Sequence, residues 1–183
     1  MVSILDKLAN KQGDTTKSAS WYKNAVQSIG QKISASKLMS QGKLTARPNL
    51  GLLNLFFYDP KYKETLPYYD TFPLVLPLEG IKGGFSGLNF HYLAPGARLR
   101  LLEQMQRYAT NKDLSKARFD VSWSRVKSIP LSKATIKKYL YKHVRSSFLK
   151  IDLTQAAIAV YLPVQQFQKS SAASVYAASR SVI

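Results

Sequence analysis

Two histidines, ten Asp and Glu side chains and no cysteine are all that this 183-residue chain offers to acid–base, nucleophilic or metal chemistry. His91 lies between Phe90 and Tyr92 in an apolar, strand-like pattern, where a hydrogen-bonded structural imidazole is the ordinary outcome and a general base the exception. His143 sits among lysines. Without cysteine there is no thiolate nucleophile, no disulfide and no thiolate zinc site, and no run of His and carboxylates replaces them. A metal-dependent nuclease holds its ions on clustered carboxylates. Here the acids stand singly, at Asp59, Asp70, Glu79, Glu103, Asp113, Asp120 and Asp152. No catalytic residue is therefore assigned, and the chain reads as a non-enzyme with neither metal nor cofactor. The stretch "GIKGGFSG" (80–87) has phosphate-loop glycines, but it lacks the Gly-Lys-Ser/Thr ending and runs into a strand pattern, so it reads as a turn.

Positive charge is what the chain has in quantity. Twenty-seven Lys and Arg against ten acids give a net charge of +17, which favours a polyanion or an acidic protein surface as partner and says nothing about fold. The densest stretch is "SKATIKKYLYKHVRSSFLK" (132–150). Read as a helix over roughly 133–150 capped by Ser132, it turns Ile136, Tyr139, Leu140, Val144 and Phe148 inward. Lys138, Lys142 and Arg145 then fall on the opposite face, with Lys133 and Lys137 at the boundary. Lys137, Lys138, Lys142 and Arg145 are the candidate phosphate-binding residues. A charged helix face is ordinarily a solvated one, but residues 130–183 hold eight basic side chains against Asp152 alone. Tyr139 and Tyr141 flank the stripe without interleaving as stacking platforms would. The expected mode is phosphate contact without base readout, strongly dependent on salt.

The elements that would position these groups lie in the middle of the chain. "NLGLLNLFFYD" (49–59), "DTFPLVLPLE" (70–79) and "FSGLNFHYL" (85–93) read as strands of a small antiparallel sheet, with a glycine hairpin between the last two. Pro73 and Pro77 lack ladder donors and restrict their segment to an edge or to strand ends. "APGARLRLLEQMQRYATN" (94–111) starts a helix at Pro95, with Leu101, Leu102, Met105, Tyr108 and Ala109 as its apolar stripe. "KARFDVSWSRVKSI" (116–129) reads as a strand or extended segment, and an apolar strand is expected at 158–162. The closing Ala/Ser-rich stretch is either a short helix or a docking tail.

Residues 1–48 differ in composition: eight basic and two acidic residues, many Ser, Gln and Thr, and only Trp21 and Tyr22 as aromatics. Ile4, Leu5 and Leu8, and again Tyr22, Val26 and Ile29, have helical spacing, but neither stretch alone buries much. This part reads as an extended basic arm (1–48) before a core domain (49–183) with a C-terminal docking segment. The expected fold is α+β, a small antiparallel sheet packed by two helices. Arg is too sparse near the start for a transit peptide and the apolar run too short for a secretory signal. Nothing approaches the roughly 18 consecutive apolar residues of a membrane span, so no membrane partner is expected.

The order of the blocks carries a resemblance. Tyr58–Lys61, Leu66–Asp70 and Gly87–Leu93, then Lys137–Arg145 and Leu162–Phe167, resemble in sequence a family of virion proteins from contractile-tailed phages of the T-even and cyanophage type, with Phe90 standing where leucine is common. The likeness covers about 50–180 and leaves out the first 48 residues. Members are described as DNA end protectors. The resemblance implies a structural protein of the virion, present in the host cytoplasm during assembly, that binds terminal DNA phosphates near the portal or neck at head completion. Double-stranded DNA and other virion proteins of the portal, neck, tail or baseplate are the implied partners, with the protein itself present in several copies. The alternative is a tail, neck or baseplate component that binds only protein. Either way the prolines and tyrosines of 58–77 build a rigid platform, since Pro fixes its own φ and restricts the residue before it.

Overall fold

The computed structural model describes residues 2–29 and 33–183. The alternating segments form one six-stranded sheet from β1 (Leu44–Thr45), β2 (Leu53–Leu55), β4 (Leu74–Ile81), β5 (Gly84–Asn89), β6 (Ile136–Leu140) and β7 (Phe148–Ile151). Their order is β1-β7-β2-β4-β5-β6, and every pairing is antiparallel. A separate two-stranded ribbon joins β3 (Tyr69–Asp70) to β8 (Phe167–Gln168). Seven α-helices accompany them among the described residues: α1 (Ile4–Gln12), α2 (Ala19–Gln27), α3 (Ala35–Gln41), α4 (Pro95–Gln106), α5 (Trp123–Ser128), α6 (Leu153–Ala159) and α7 (Ala172–Val182). The fold is α+β as expected, with a larger sheet and more helices.

Register separates the sheet into two unlike faces. Leu53 pairs with Ile151, Leu55 with both Leu149 and Leu74, and Leu76 with Leu88, so these aliphatic side chains share one face. They belong to the main core with residues from helices α1 to α6. The alternate positions Phe56, Val75, Phe85, Tyr139 and Phe148 lie on the other face and form, with Tyr58, a separate aromatic cluster. The β4–β5 hairpin turns through Lys82 and Gly83, and Gly83 has the positive φ of 77° that glycine takes without strain.

Four expectations are corrected. The first 48 residues are not an extended arm. Ser3, Ser18 and Ser34 accept hydrogen bonds from backbone N–H groups three residues on and start α1, α2 and α3. Ile4, Leu5, Leu8, Tyr22, Val26 and Leu38 from these helices are buried in the main core. Three of the serines that read as solvation are helix caps, and the short apolar stripes bury together what none could alone. Positions 30–32, just beyond the second stripe, lie outside the described residues.

The helix expected over 133–150 is also absent. Residues 136–140 are β6, a 3-10 turn follows at Tyr141–His143, and β7 begins at Phe148. Apolar residues at 136, 140, 144 and 148 recur every four positions, which fits a helix turn and a strand alternation equally. The β-branched and aromatic residues Thr135, Ile136, Tyr139 and Tyr141 decide for the strand, and β5 supplies its partner.

The remaining two corrections are local. Pro77 sits in an interior strand, where the register shifts between Pro77 and Glu79 and the missing N–H leaves no gap in a regular ladder. Trp123–Ser128 is helical and 153–159 forms α6, so neither 116–129 nor 158–162 is a strand. Phe119 contributes a single bridge to Ala109. The C-terminal Ala/Ser-rich stretch resolves as helix α7.

Candidate nucleic-acid interface

The aromatic face of the sheet is covered by a crossing segment, residues 56–72, "FFYDPKYKETLPYYDTF", which leaves β2 and returns as β4, and by Val144 of the β6–β7 connection. The segment is held at three points. Tyr58 bridges Val144, and its hydroxyl accepts the Leu140 N–H at 3.0 Å. Asp59 accepts from Lys63 Nζ at 2.8 Å and lies 3.6 Å from the Arg145 guanidinium, while its carbonyl accepts from His143 Nδ1 at 2.9 Å. The hydrogen bond from Lys63 is the main reason the Asp59 carboxyl titrates below its ordinary range. Lys169 closes the turn at 63–66, donating to the carbonyls of Lys63, Glu64 and Leu66 at 2.6, 3.1 and 3.0 Å.

At the far end of the segment Asp70 is buried. Its Oδ1 accepts the N–H groups of Phe72 and Gln166, each at 3.0 Å, and its Oδ2 lies 2.8 Å from His91 Nδ1. Burial opposes the Asp70 charge, but His91 and these donors outweigh it and leave the carboxyl below its usual range. Burial also dominates for His91, whose pKa falls despite the attraction of Asp70. The pair is thus an ionised Asp70 accepting from a neutral imidazole, and His91 Nε2 has no hydrogen-bond partner. Arg98 is 0% exposed beside them. It donates to the carbonyls of Leu93 and Val160 at 2.7 and 2.9 Å and to the Tyr176 hydroxyl at 2.8 Å, tying α4 to the end of α6 and to α7. The histidine expected to be structural is buried in a packing network.

Between the crossing segment and β5–β6 lies a cavity of 460 Å³. Tyr58, Tyr62, Tyr68, Tyr69, Tyr92 and Tyr139 line it, with Lys61, Lys137, Lys138, Asn89 and Asp70 among them. Tyr139 accepts from Asn89 Nδ2 at 3.1 Å, and burial raises the pKa values of Tyr92 and Tyr139 well above the ordinary phenol. Lys137 Nζ stands 4.1 Å from the Tyr92 ring centroid, a cation–π distance. Burial alone lowers its pKa, and among the described residues no carboxylate pairs with it. An ammonium in a phenol-lined hollow is suited to an anion that also has a flat, stackable part.

The four candidate phosphate-binding residues do not form one stripe. Lys137 shares a strand face with Tyr139 and enters the cavity; Lys138, next along β6, is exposed at its border. Lys142 is exposed in the 3-10 turn. Arg145 is engaged, by Asp59 and by the Lys142 carbonyl at 2.8 Å. The expectation that no tyrosine interleaves with these lysines held only for a helix, since on a strand residues two apart are neighbours on one face. Lys61 and the ring of tyrosines were missed. Their signal was the block "YDPKYKETLPYYD" itself, read as a platform without a ligand.

Lys82 at the hairpin tip adds a further cation, next to Gly83, whose carbonyl accepts the Tyr141 N–H at 2.9 Å. Lys137 and Lys138 on β6, Lys61 across the cavity, and Lys82 and Lys142 at the adjoining hairpin tip and turn are thus the cations on this side, where Asp59 and Asp70 are already occupied. Among the described residues no group of three or more His and carboxylate side chains could hold a metal, and no helix is long and apolar enough to cross a membrane.

A family model described as phage T4 terminal DNA protecting protein matches residues 2–182. The match therefore takes in residues 2–48, which the block-by-block likeness had left out. No curated protein and no solved structure matches the chain.

Proposed function

Because the chain belongs to the phage T4 terminal DNA protecting protein family, we propose that it binds the end of double-stranded DNA in the phage particle and shields it by occupancy, without catalysis. The observation that carries this reading is the group of cations at the cavity, Lys61, Lys137 and Lys138, with Lys82 and Lys142 at the hairpin tip and turn joined by the Gly83–Tyr141 hydrogen bond, beside acids that are engaged elsewhere. Phosphates replace their condensed counterions with such side chains, which gives affinity without sequence preference. Arg145 holds Asp59 and the crossing segment in place, so its contribution to phosphate binding is indirect. The DNA end lies near the portal or neck when the head is completed, and other virion proteins flank it.

The test is binding to a blunt linear duplex and to a closed circle of the same sequence over a series of salt concentrations, with exonuclease protection measured in parallel. Preference for the linear form together with protection is the expected result. Equal binding to both, lost at physiological salt, would overturn the reading and assign the charge to contacts with neighbouring proteins.

A further inference from the structure

The tyrosine cavity is not needed for phosphate neutralisation, which a flat basic surface achieves. Lysines on the edge strand β6 have an ordinary explanation, since they discourage pairing with another sheet. Lys138, exposed, fits that explanation. Lys137 does not: it is drawn into the hollow, 4.1 Å from the Tyr92 ring centroid, where it cannot guard an edge and has no carboxylate partner among the described residues. A cavity of 460 Å³ lies within the range of roughly 300–1,000 Å³ typical of small-molecule sites. A duplex, whose major groove alone is about 12 Å wide, cannot enter a space of that size.

The lining narrows the occupant further. Ring faces offer stacking to any base, and Lys61, Lys137 and Lys138 offer charge to a phosphate. Both oxygens of Asp70, the carboxylate at the cavity, are already hydrogen-bonded, so it does not compete for those ammonium groups. A lipid tail would leave three cations unanswered, and an acidic peptide would leave the rings unused. Building on the DNA-end reading above, we infer that the cavity receives the terminal nucleotide of a frayed DNA end, its base among the tyrosine rings and its phosphate on Lys137 and Lys61. Unpairing costs least at an end or a mismatch, so such a cavity distinguishes a terminus from continuous duplex.

Titration of the full-length protein with deoxyadenosine 5′-monophosphate, deoxyadenosine and inorganic phosphate tests the cavity without any variant. The monophosphate is expected to bind about tenfold more tightly than either fragment, the scale of one stacked base. Binding no tighter than inorganic phosphate overturns the inference. In a second arm, wild-type protein is expected to prefer a linear duplex with mismatched terminal pairs over a matched one. Tyr62→Ala removes a ring that is 62% exposed and so leaves the fold intact, and it should reduce that preference, as should Lys137→Met. A preference unchanged in both variants also overturns the inference. If linear and circular DNA are bound equally while the monophosphate is still favoured over its fragments, it is the DNA-end reading that falls, and the nucleotide preference of the cavity remains.

Discussion

The two faces of the six-stranded sheet are built from alternate residues of the same strands, yet they have opposite chemistry. One is aliphatic and lies under helices; Leu53, Leu55, Leu74, Leu76, Leu88 and Ile151 are fully buried there. The other is aromatic, with Phe56 packed against Tyr58, Phe85, Tyr139 and Phe148 at centroid distances of 6.1, 5.8, 5.4 and 4.9 Å. The crossing segment and Val144 of the β6–β7 connection cover it, and the cavity lies open beside them. Each aliphatic side chain contributes about 1.5–3 kcal/mol through removal from water, which is stability without recognition. Aromatic rings also bury area, but their faces remain able to stack and to attract cations. A strand period of two lets one segment serve both purposes, and the chemistry of the open face can vary without disturbing the covered one.

If the faces are separable, the largest effect belongs to the covered one. Leu76→Ala should cost about 2–5 kcal/mol in denaturant unfolding, because the surrounding helices close only partly on the space left behind. The folded fraction should bind DNA as wild type does. A small stability loss accompanied by lost binding would show that the faces are coupled.

Acid should act next most strongly, through the pair at the end of β5. His91 titrates lower in the folded chain than in the unfolded one, chiefly through burial, so the unfolded state takes up the proton first as pH falls. The stability His91 contributes is present above the unfolded pKa near 6.5 and declines below it, at no more than about 1.4 kcal/mol per pH unit. Asp70, also lowered, adds a loss in the same direction only below the ordinary carboxylate range. Thermal melts between pH 7 and 5 should show this decline, and His91→Gln should flatten it.

A smaller effect is expected where the crossing segment is pinned. Lys169→Met removes three donated hydrogen bonds, but the site is exposed, so the cost should be about 1 kcal/mol. Hydrogen exchange should quicken at 61–67 and remain unchanged in β2 and β7. Faster exchange throughout would mean that the segment supports the whole sheet.

How much of this was legible in the sequence follows from the same alternation. The β4–β5 hairpin was readable because turn glycines and period-two apolar residues agree. Helix α4 was readable because Pro95 and its stripe agree. Residues 133–150 were misread because a spacing of four suits both periods, and only the pairing partner, some fifty residues earlier, decides between them. Helices α1 to α3 were half readable: Ile4, Leu5 and Leu8 showed the stripe, but nothing local showed what would cover it. The cavity was not legible, since its walls come from 58–70, 89–92 and 137–140 and meet only after folding. That Lys137 and Tyr139 share a face is a consequence of the strand, and the helical reading had set them apart.

The smallest stability change, and the sharpest division among the four candidate cations, is expected on the open edge. Lys138 and Lys142 are exposed, and neither has a carboxylate partner among the described residues. Replacing both with Gln should move stability by no more than about 0.5 kcal/mol. If each neutralises one phosphate, the slope of log K against log salt should fall by about 0.9 per residue. Arg145→Gln should do the reverse. Its guanidinium is engaged by Asp59, so the salt slope should stay near wild type, while loss of an exposed ion pair costs at most about 1 kcal/mol. A slope that fell for Arg145→Gln and not for the double lysine variant would invert the assignment. Arg145 would then leave Asp59 on binding, and the crossing segment, freed from that tie, would be the part of the open face that moves to admit DNA.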